Sequence, residues 1–303
     1  MKAVINTKHG LQLQHVEKGI PGTDEILIRV HAATVTAGDV ILSNLPGLMY
    51  WAPVRSLLGV PPKKTIPGHE FAGIVEAAGQ HVTRFKVGDP VFGTTTGLAV
   101  GANADYVRLP EAWSTGVIAL KPGSLSYTQT AALPVGAMTA LYLLRKAEIQ
   151  PGEKVLIYGA SGSVGTYAVQ LARYLGADVT GVCSTRNVEM VRSLGANRVI
   201  DYTQEDLTQS DEAYAVVFDA VGKMLPAQRK RVLRPNGRHT TIRSATHEDS
   251  GSLEFLRTLV DAGEIKPIID RCFHLEQIAE AYEYVRSGRK AGNVVIQIAE
   301  DAS

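Results

Sequence analysis

The pattern of apolar and polar residues changes character near Ser126. Before that point, short apolar runs are separated by turn-rich pieces, which is typical of a mostly β domain. The candidate strands there are Met1–Ile5, Leu11–Val16, Glu25–His31, Phe71–Glu76 and Asp89–Phe92. After that point, apolar runs of strand length alternate with segments of helical periodicity. This alternation predicts β-α-β units that form a doubly wound parallel sheet.

The second part of the chain predicts a regular series of elements. Its candidate strands are Val155–Tyr158, Asp178–Cys183, Arg198–Tyr202, Ala215–Ala220 and Gly237–Ile242. Its candidate helices are two segments broken at Pro134, one directly after Gly165, and Asn187–Leu194, Leu225–Leu233 and Ser252–Ala262. The tail from Ile265 to Ile298 contains more strand candidates, and we expect it to return to the first domain. The predicted domains are residues 1–122, completed by residues 266–303, and residues 123–265.

One stretch in the second part carries a recognisable binding signal. Lys154–Gly165 combines a buried strand, a glycine-rich turn and the start of an amphipathic helix. Gly162 lets the backbone approach a pyrophosphate closely, and Gly165 lets the helix pack tightly on the strand. The N–H groups of the first helical turn favour a phosphate. The alternative is a turn that binds nothing. The predicted dinucleotide-binding turn comprises Ala160, Ser161, Gly162, Ser163, Val164 and Gly165.

The end of the next strand indicates which dinucleotide binds. NAD enzymes usually place an acidic residue about 20 positions past the glycines, where it binds the ribose 2′-hydroxyl. Here Ser184 and Arg186 occupy that region, and no acid precedes Glu189. Hydroxyls and a guanidinium suit a 2′-phosphate, and Tyr202 ends the third strand beside them. We predict NADPH as the cofactor; the alternative is that Arg186 only opens the next helix and faces solvent.

Composition narrows the choice of partners. The chain has 303 residues, a formal net charge of +1 and two cysteines. Such a charge argues against nucleic acid and anionic membrane surfaces as partners. Two distant cysteines cannot form a disulfide framework or a thiolate zinc site. No apolar run approaches the length of a membrane span, so we expect a soluble, cytoplasmic protein that acts on a small molecule.

The whole chain resembles the medium-chain dehydrogenase/reductase superfamily, and within it the zinc-independent quinone oxidoreductase branch. The resemblance rests on Ile66–Gly73, Phe85–Asp89, Tyr158–Gly165 and Leu194–Tyr202. It implies a GroES-like first domain and a Rossmann second domain. It further implies that Ser161, Gly162, Ser163 and Val164 hold the pyrophosphate, that Ser184, Arg186 and Tyr202 surround the 2′-phosphate, that Val221 and Gly222 lie along the adenosine, and that Thr139 approaches the nicotinamide.

The resemblance also bears on metal binding. Zinc-dependent members hold catalytic zinc with a Cys, the His of a Gly-His-Glu motif and a later Cys. His69 and Glu70 are present here, but Thr36 and Val135 stand at the two cysteine positions. Catalytic zinc needs three protein ligands and a water, so we predict that no metal is bound.

A zinc-free reductase favours conjugated acceptors. Hydride addition to a quinone or an enone spreads the developing charge over an extended oxyanion, so weak polarisation suffices. The candidates to contact the acceptor carbonyl are Tyr50, Thr36 and His69, while Asp39 is expected to order its loop. The apolar, proline-rich segment 40–65 either covers a cleft or folds on a small core of its own. The alternatives are a zinc-free enone or aldehyde reductase, a zinc alcohol dehydrogenase, and an NADPH-binding protein with little turnover.

The sequence departs from its relatives after Ile242. Only ten residues separate Ile242 from Leu253, where relatives usually carry a further crossover helix and a sixth strand. We therefore expect a shortened sheet with the fifth strand at its edge, and either a monomer or an altered dimer. Ser250–Ser252 resembles a flexible linker, which suggests a naturally or artificially shortened form.

Overall fold

The computed structural model describes residues 1–7, 10–43, 65–209 and 211–300. The chain forms two compact units. The first comprises Met1–Val135, Glu248–Arg257 and Ile269–Ser303, and the second comprises Gly136–His247 and Thr258–Ile268. The predicted fold class, a GroES-like mostly β domain with a Rossmann sheet, is confirmed.

The first unit is built mostly on antiparallel strands, with β13 and β14 as a parallel pair. Strands β1 (Lys2–Thr7) and β2 (Gly10–His15) form a hairpin. The larger sheet contains β3 (Glu25–Val35), β4 (Glu70–Ala78), β5 (Pro90–Thr94), β6 (Tyr106–Pro110), β7 (Ile118–Leu120), β13 (Ile269–His274) and β14 (Asn293–Gln297). Its order is β13-β14-β3-β4-β5-β7, with β6 paired to β3. Because β14 pairs with β3 through Val295 and Thr34, the C-terminal tail belongs to this unit.

In the part of this unit that the structure describes, three short helices accompany the sheet. They are α1 (Ala37–Ser43), α2 (Tyr127–Ala131) and α8 (Ile278–Arg286). Helix α8 buries Ile278, Ala281, Tyr282 and Val285, a spacing of three and four residues that presents one apolar face. That face packs into the same core as Phe71 and Ile28 of the central strands. The core therefore fixes β3 and β4, the strands that carry the polar cluster described below.

The second unit contains a five-stranded parallel sheet in its described residues. Its strands are β8 (Lys154–Tyr158), β9 (Asp178–Cys183), β10 (Arg198–Asp201), β11 (Tyr214–Asp219) and β12 (Leu233–Thr241). The order is β10-β9-β8-β11-β12. The helices are α4 (Ser163–Tyr174), α5 (Val188–Ser193) and α6 (Pro226–Val232). Strands β8 and β11 are buried over most of their length, as their uninterrupted apolar runs predict.

Two further helices lie where the chain passes between the units. Helix α3 (Pro134–Lys146) begins at the proline that the sequence marks as a break, because proline is tolerated in the first helical turn. Helix α7 (Ser250–Asp261) corrects an expectation. Ser250–Ser252 is the first turn of this helix rather than a flexible linker, and the N–H of Ser252 donates to Asp249 Oδ1 at 2.7 Å.

Candidate functional site

The glycine-rich turn lies at the carboxyl end of the central strand β8. The turn is tight: a Cβ on Gly165 would lie 2.1 Å from the carbonyl oxygen of Gly159. By contrast, a Cβ on Gly162 would meet nothing closer than that same oxygen at 3.6 Å. The Thr166 N–H bonds back to Gly162 O at 2.9 Å, and the earlier amides of the helix lie at its N-terminus, where orphan donors bind anions. The geometry therefore fits a pyrophosphate.

Helix α3 packs against the start of α4. A Cβ on Gly136 would lie 2.8 Å from Ser163 Oγ, so the two helices approach closely at this point. Thr139 is three residues further along α3 and therefore shares that face. The structure thus places Thr139 on the side of α3 that packs against Ser163, at the predicted pyrophosphate turn.

The loops after β9 and β10 bring the predicted 2′-phosphate residues together. Ser184 follows Cys183, Tyr202 follows Asp201, and Cys183 and Asp201 are partners in the sheet. The side chains of Arg186 and Tyr202 are exposed. A hydroxyl contact of 2.7 Å between Thr185 and Thr203 ties the two loops together. Two hydroxyls and a guanidinium at one strand end suit a phosphate monoester.

Sequence reasoning missed Asn187, which organises this corner. Its side chain is buried, and its amide nitrogen donates to Ser161 Oγ and to Ser184 Oγ, each at 3.2 Å. One amide therefore links the pyrophosphate turn to the loop after β9. The signal available in sequence was an Asn at the start of a helix, which indicates a cap. Here its side chain bridges two loops instead.

A third loop follows β11 and is held by one buried carboxylate. Asp219 Oδ1 accepts the N–H groups of Val221 and Gly222 at 3.0 and 2.8 Å, and Oδ2 accepts that of Met224 at 3.0 Å. The Val221 side chain covers Gly159, since a Cβ on Gly159 would lie 2.2 Å from Val221 Cγ2. Val221 and Gly222 therefore lie beside the glycine-rich turn.

The first unit contains a separate polar cluster around a buried carboxylate. Asp39 Oδ2 accepts the Thr36 N–H at 2.8 Å and the Thr36 hydroxyl at 2.6 Å. Asp39 Oδ1 lies 2.5 Å from His69 Nδ1. Burial opposes ionisation of Asp39, but the neighbouring imidazole and the bonds from His69 and Thr36 lower its pKa overall. A carboxylate only accepts, so His69 Nδ1 carries the proton and Nε2 is the ring nitrogen left for other partners.

Glu70 forms a second buried centre beside this cluster. Its carboxyl oxygens accept the Thr34 hydroxyl at 2.5 Å and the Val135 N–H at 2.7 Å. Burial raises the pKa of Glu70 to about 7, the two hydrogen bonds act in the opposite direction, and the charges of Asp39 and Glu248 add to the increase. Both oxygens of Glu70 are therefore engaged in holding β3 and the start of α3.

These residues do not fit a catalytic zinc. The Thr36 hydroxyl and His69 Nδ1 are used by Asp39, both Glu70 oxygens are engaged, and Val135 has no donor side chain. Among the described residues, no group of three or more His, Cys, Asp and Glu side chains is arranged to hold a metal ion. Of the three catalytic candidates, the structure brings Thr36 and His69 together, and Tyr50 lies outside the described residues.

Three family models match parts of the chain. An alcohol dehydrogenase GroES-like domain matches residues 22–122. Two zinc-binding dehydrogenase models match residues 163–266 and 240–296. No helix in the described ranges combines the length and apolar character that crossing a bilayer requires.

Three relatives are named as reductases or oxidoreductases, and two of these names include an organelle. The chain is 32% identical over 254 residues to 2-methylene-furan-3-one reductase of Solanum lycopersicum, which covers 78% of this chain and 64% of the relative. It is 30% identical, with the same coverage, to the chloroplastic NADPH-dependent alkenal/one oxidoreductase of Arabidopsis thaliana. It is 30% identical over 332 residues to the mitochondrial NAD(P)H oxidoreductase RTN4IP1 of Homo sapiens, which covers 91% of this chain and 82% of that protein. The chain spans less than two thirds of the length of the first two.

Solved structures match nearly the whole chain. The quinone oxidoreductase from Coxiella burnetii superposes with a TM-score of 0.82 at 26% identity, covering 98% of this chain and 99% of that one. A cobalt- and zinc-bound alcohol dehydrogenase from Pyrobaculum aerophilum gives a TM-score of 0.79 at 27% identity, with the same coverage. With the GroES-like unit, the Rossmann unit and these relatives, the chain belongs to the medium-chain dehydrogenase/reductase superfamily, in its quinone oxidoreductase-like branch.

Proposed function

We propose that this protein is an NADPH-dependent oxidoreductase that transfers hydride to quinones or related conjugated carbonyls without zinc. Residues 1–122 and 266–303 form the substrate domain, and residues 123–265 form the NADPH-binding domain. The observation that carries the proposal is the carboxyl edge of the parallel sheet. There a phosphate-binding turn stands beside hydroxyls and a guanidinium, in a loop that has no acid before Glu189.

The cofactor is held by three loops of that edge. The pyrophosphate lies on the turn formed by Ala160, Ser161, Gly162, Ser163, Val164 and Gly165. The 2′-phosphate lies against Ser184, Arg186 and Tyr202, with Asn187 keeping the two loops in register. Val221 and Gly222 lie along the adenosine, and Thr139 is on the nicotinamide side. NADPH supplies a hydride when it is bound.

His69 is the proposed contact to the acceptor oxygen. Asp39 fixes the ring through Nδ1–H, so an imidazolium at this position can donate its Nε2 proton to the acceptor oxyanion and is left as the neutral Nδ1–H imidazole. The His69 side chain is 17% exposed. The Thr36 hydroxyl donates its proton to Asp39 in a hydrogen bond, so Thr36 acts by positioning Asp39. Tyr50 stays a candidate. The donor set supports zinc independence, because it lacks the two thiolates and, within the described residues, leaves His69 Nε2 as a single unengaged ligand atom beside the engaged Glu70 oxygens.

Each of three alternative functions is supported by one observation. The names of the Solanum and Arabidopsis relatives favour an enone or alkenal acceptor over a quinone. The short connection after Ile242 favours an NADPH-binding protein with little turnover. The Pyrobaculum structure binds zinc, which keeps a zinc alcohol dehydrogenase as the comparison to exclude.

Location and assembly stay predictions. A cytoplasmic location competes with the chloroplastic and mitochondrial locations named for two relatives. The last strand of the described Rossmann sheet, β12, carries Arg234, Pro235 and Arg238. Charged side chains and proline on an edge strand oppose pairing with another strand, which favours a monomer over a dimer through this edge.

The test follows NADPH oxidation by chelator-treated protein with ortho-quinones, para-quinones and enones, and repeats the series with NADH. We expect turnover with NADPH that is weak with NADH and unaffected by chelation. The acceptor with the highest kcat/KM shows whether quinones or enones are the preferred substrate class. His69→Gln should lower kcat about 100-fold, while the NADPH dissociation constant stays unchanged.

Three results would redirect the proposal. NADPH binding without turnover on any acceptor would favour the non-catalytic alternative. Activity that is lost on chelation and restored by zinc would favour the alcohol dehydrogenase. An unchanged kcat in the His69→Gln variant would remove His69 from the acceptor site and leave Tyr50 as the remaining candidate.

A further inference from the structure

The loop after β12 carries a cation whose charge the described residues leave unbalanced. Arg243 is exposed and stands two residues past the end of β12. Within the described part of the chain, no acidic side chain forms an ion pair with its guanidinium. Three other arginines of this region differ, because Arg234 and Arg238 both contact Glu153, and Arg231 contacts Asp211 at 3.2 Å.

The side chain of Arg243 is positioned by the loop after β11. A Cβ on Gly222 would lie 2.9 Å from Arg243 Cγ and 3.0 Å from Nε. Gly222 also has a φ of +72°, a conformation that side-chain-bearing residues rarely adopt. The arginine therefore lies against a backbone surface that only glycine provides. The stem of the side chain therefore lies beside Gly222, in the loop that borders the glycine-rich turn.

The carboxylate that holds this loop, Asp219, forms no ion pair with Arg243 within the described residues. Both oxygens of Asp219 are occupied by the N–H groups of Val221, Gly222 and Met224. Ligands of open parallel sheets bind outside the carboxyl ends of the strands. Arg243 thus adds a positive charge at the edge where the proposed function places a ligand with several phosphate charges.

We propose that Arg243 is a further cofactor-binding residue, and that its guanidinium binds the pyrophosphate of the dinucleotide. This inference rests on the proposed function. A planar guanidinium pairs with phosphate oxygens in a bidentate geometry, and such charge-assisted bonds are stronger than neutral ones. Arg243 follows β12 and the helix that begins at Ser163 follows β8, so both lie at the carboxyl edge of the same parallel sheet.

The strand order favours the pyrophosphate over the 2′-phosphate as the target. Ser184 and Arg186 follow β9, whereas Arg243 follows β12, and the order between them is β9-β8-β11-β12. Adjacent strands lie about 4.8 Å apart, so three spacings separate the two loops by roughly 14 Å. The two arginines therefore serve different groups. Arg186 reads the 2′-phosphate that distinguishes NADPH from NADH, and Arg243 binds the pyrophosphate that both share.

The test measures dissociation constants rather than turnover. NADPH, NADH and ADP-ribose are titrated into the wild-type protein and into the Arg243→Gln, Arg186→Gln and Arg231→Gln variants at low ionic strength. We expect Arg243→Gln to weaken all three ligands by a similar factor, on the order of tenfold. Arg186→Gln should weaken NADPH and leave NADH and ADP-ribose unchanged. Arg231→Gln, which removes a cation on α6, is the matched control and should change nothing. Arg243→Lys should recover part of the affinity.

Each contrary outcome overturns the inference in a recognisable way. Weakening of NADPH alone in Arg243→Gln would assign Arg243 to the 2′-phosphate. Weakening of NADPH and NADH without ADP-ribose would place it on the nicotinamide side, and no change would remove it from the site. A wild-type protein that binds dinucleotides but reduces no acceptor would contradict the proposed function and leave this inference intact. A wild-type protein that binds none of the three ligands would contradict both.

Discussion

The two polar centres of this chain, the glycine-rich turn and the cluster around Asp39, differ in the groups that form them. At the carboxyl edge of the Rossmann sheet, backbone N–H groups and glycines form the binding surface, and side chains such as Asn187 and Asp219 hold the loops. In the GroES-like unit, the cluster around Asp39 consists of side chains packed between strands and helices. A backbone site depends on local conformation, whereas a side-chain site depends on tertiary packing. The two should therefore respond differently to substitution.

The largest expected effect comes from the glycine-rich turn. Gly165→Ala would place a Cβ 2.1 Å from a backbone oxygen that cannot move aside. We expect a loss of about 3 kcal/mol in the free energy of unfolding, because overpacking displaces the backbone. NADPH affinity should fall with it, on the order of 100-fold, since the displaced turn presents the pyrophosphate amides. Urea denaturation and NADPH titration measure the two effects.

Gly162→Ala is the matched control for that turn. Its Cβ would meet nothing closer than 3.6 Å, and the backbone of Gly162 is extended with a φ of −79°. Stability should therefore change by less than about 0.5 kcal/mol, while NADPH affinity falls on the order of tenfold because the methyl group stands where the phosphate approaches. A Gly162→Ala variant that binds NADPH as tightly as the wild type would show that the pyrophosphate lies elsewhere.

These differences explain which parts were predictable from sequence. The binding turn in Lys154–Gly165 can be recognised from sequence because the strand, the turn and the helix N-terminus are formed by consecutive residues. The parallel sheet follows from apolar runs alternating with helical segments. The contacts of Asn187 join residues 26 positions apart, and those of Glu70 join residues 65 positions apart. No local pattern encodes such pairs. The Gly-His-Glu motif identifies His69, and the sequence names Asp39 as a residue that orders its own loop. The contact between Asp39 and His69 joins residues 30 positions apart and appears only in the fold.

A smaller effect tests the side-chain centre through pH. The pKa of Glu70 is raised to about 7 by burial, so between about pH 4.5 and 7 the native state keeps a proton that the unfolded state has released. Stability therefore declines as pH rises through that window, by about 2 kcal/mol between pH 5 and 7 for this one group. Glu70→Gln cannot ionise, and the decline should be absent from its urea denaturation series.

The control for Glu70 lies on the same strand. Glu76 is exposed on β4 and contacts Lys18 at the surface, so Glu76→Gln should keep the decline of the wild type. An unchanged pH dependence in Glu70→Gln would show that the carboxyl is already ionised below pH 5. Asp39 and Glu70 would then both be charged, and Glu70 would accept the hydrogen bonds from Thr34 and Val135 as a carboxylate.

The smallest effect concerns the short connection after β12, where the sequence suggested a linker and the structure has the first turn of α7. Asp249 caps that turn through Ser252 N–H. Asp249→Ala should lower the free energy of unfolding by about 1 kcal/mol, and Asp249→Asn should retain most of the cap. Gly251→Ala should raise stability by less than the propensity difference of about 1 kcal/mol, since its Cβ would lie 3.3 Å from the capping oxygen Asp249 Oδ1, which must shift slightly. Opposite signs at two neighbouring positions identify a helix N-terminus. In a flexible linker neither residue has a fixed partner, and both substitutions would leave the denaturation midpoint where it is.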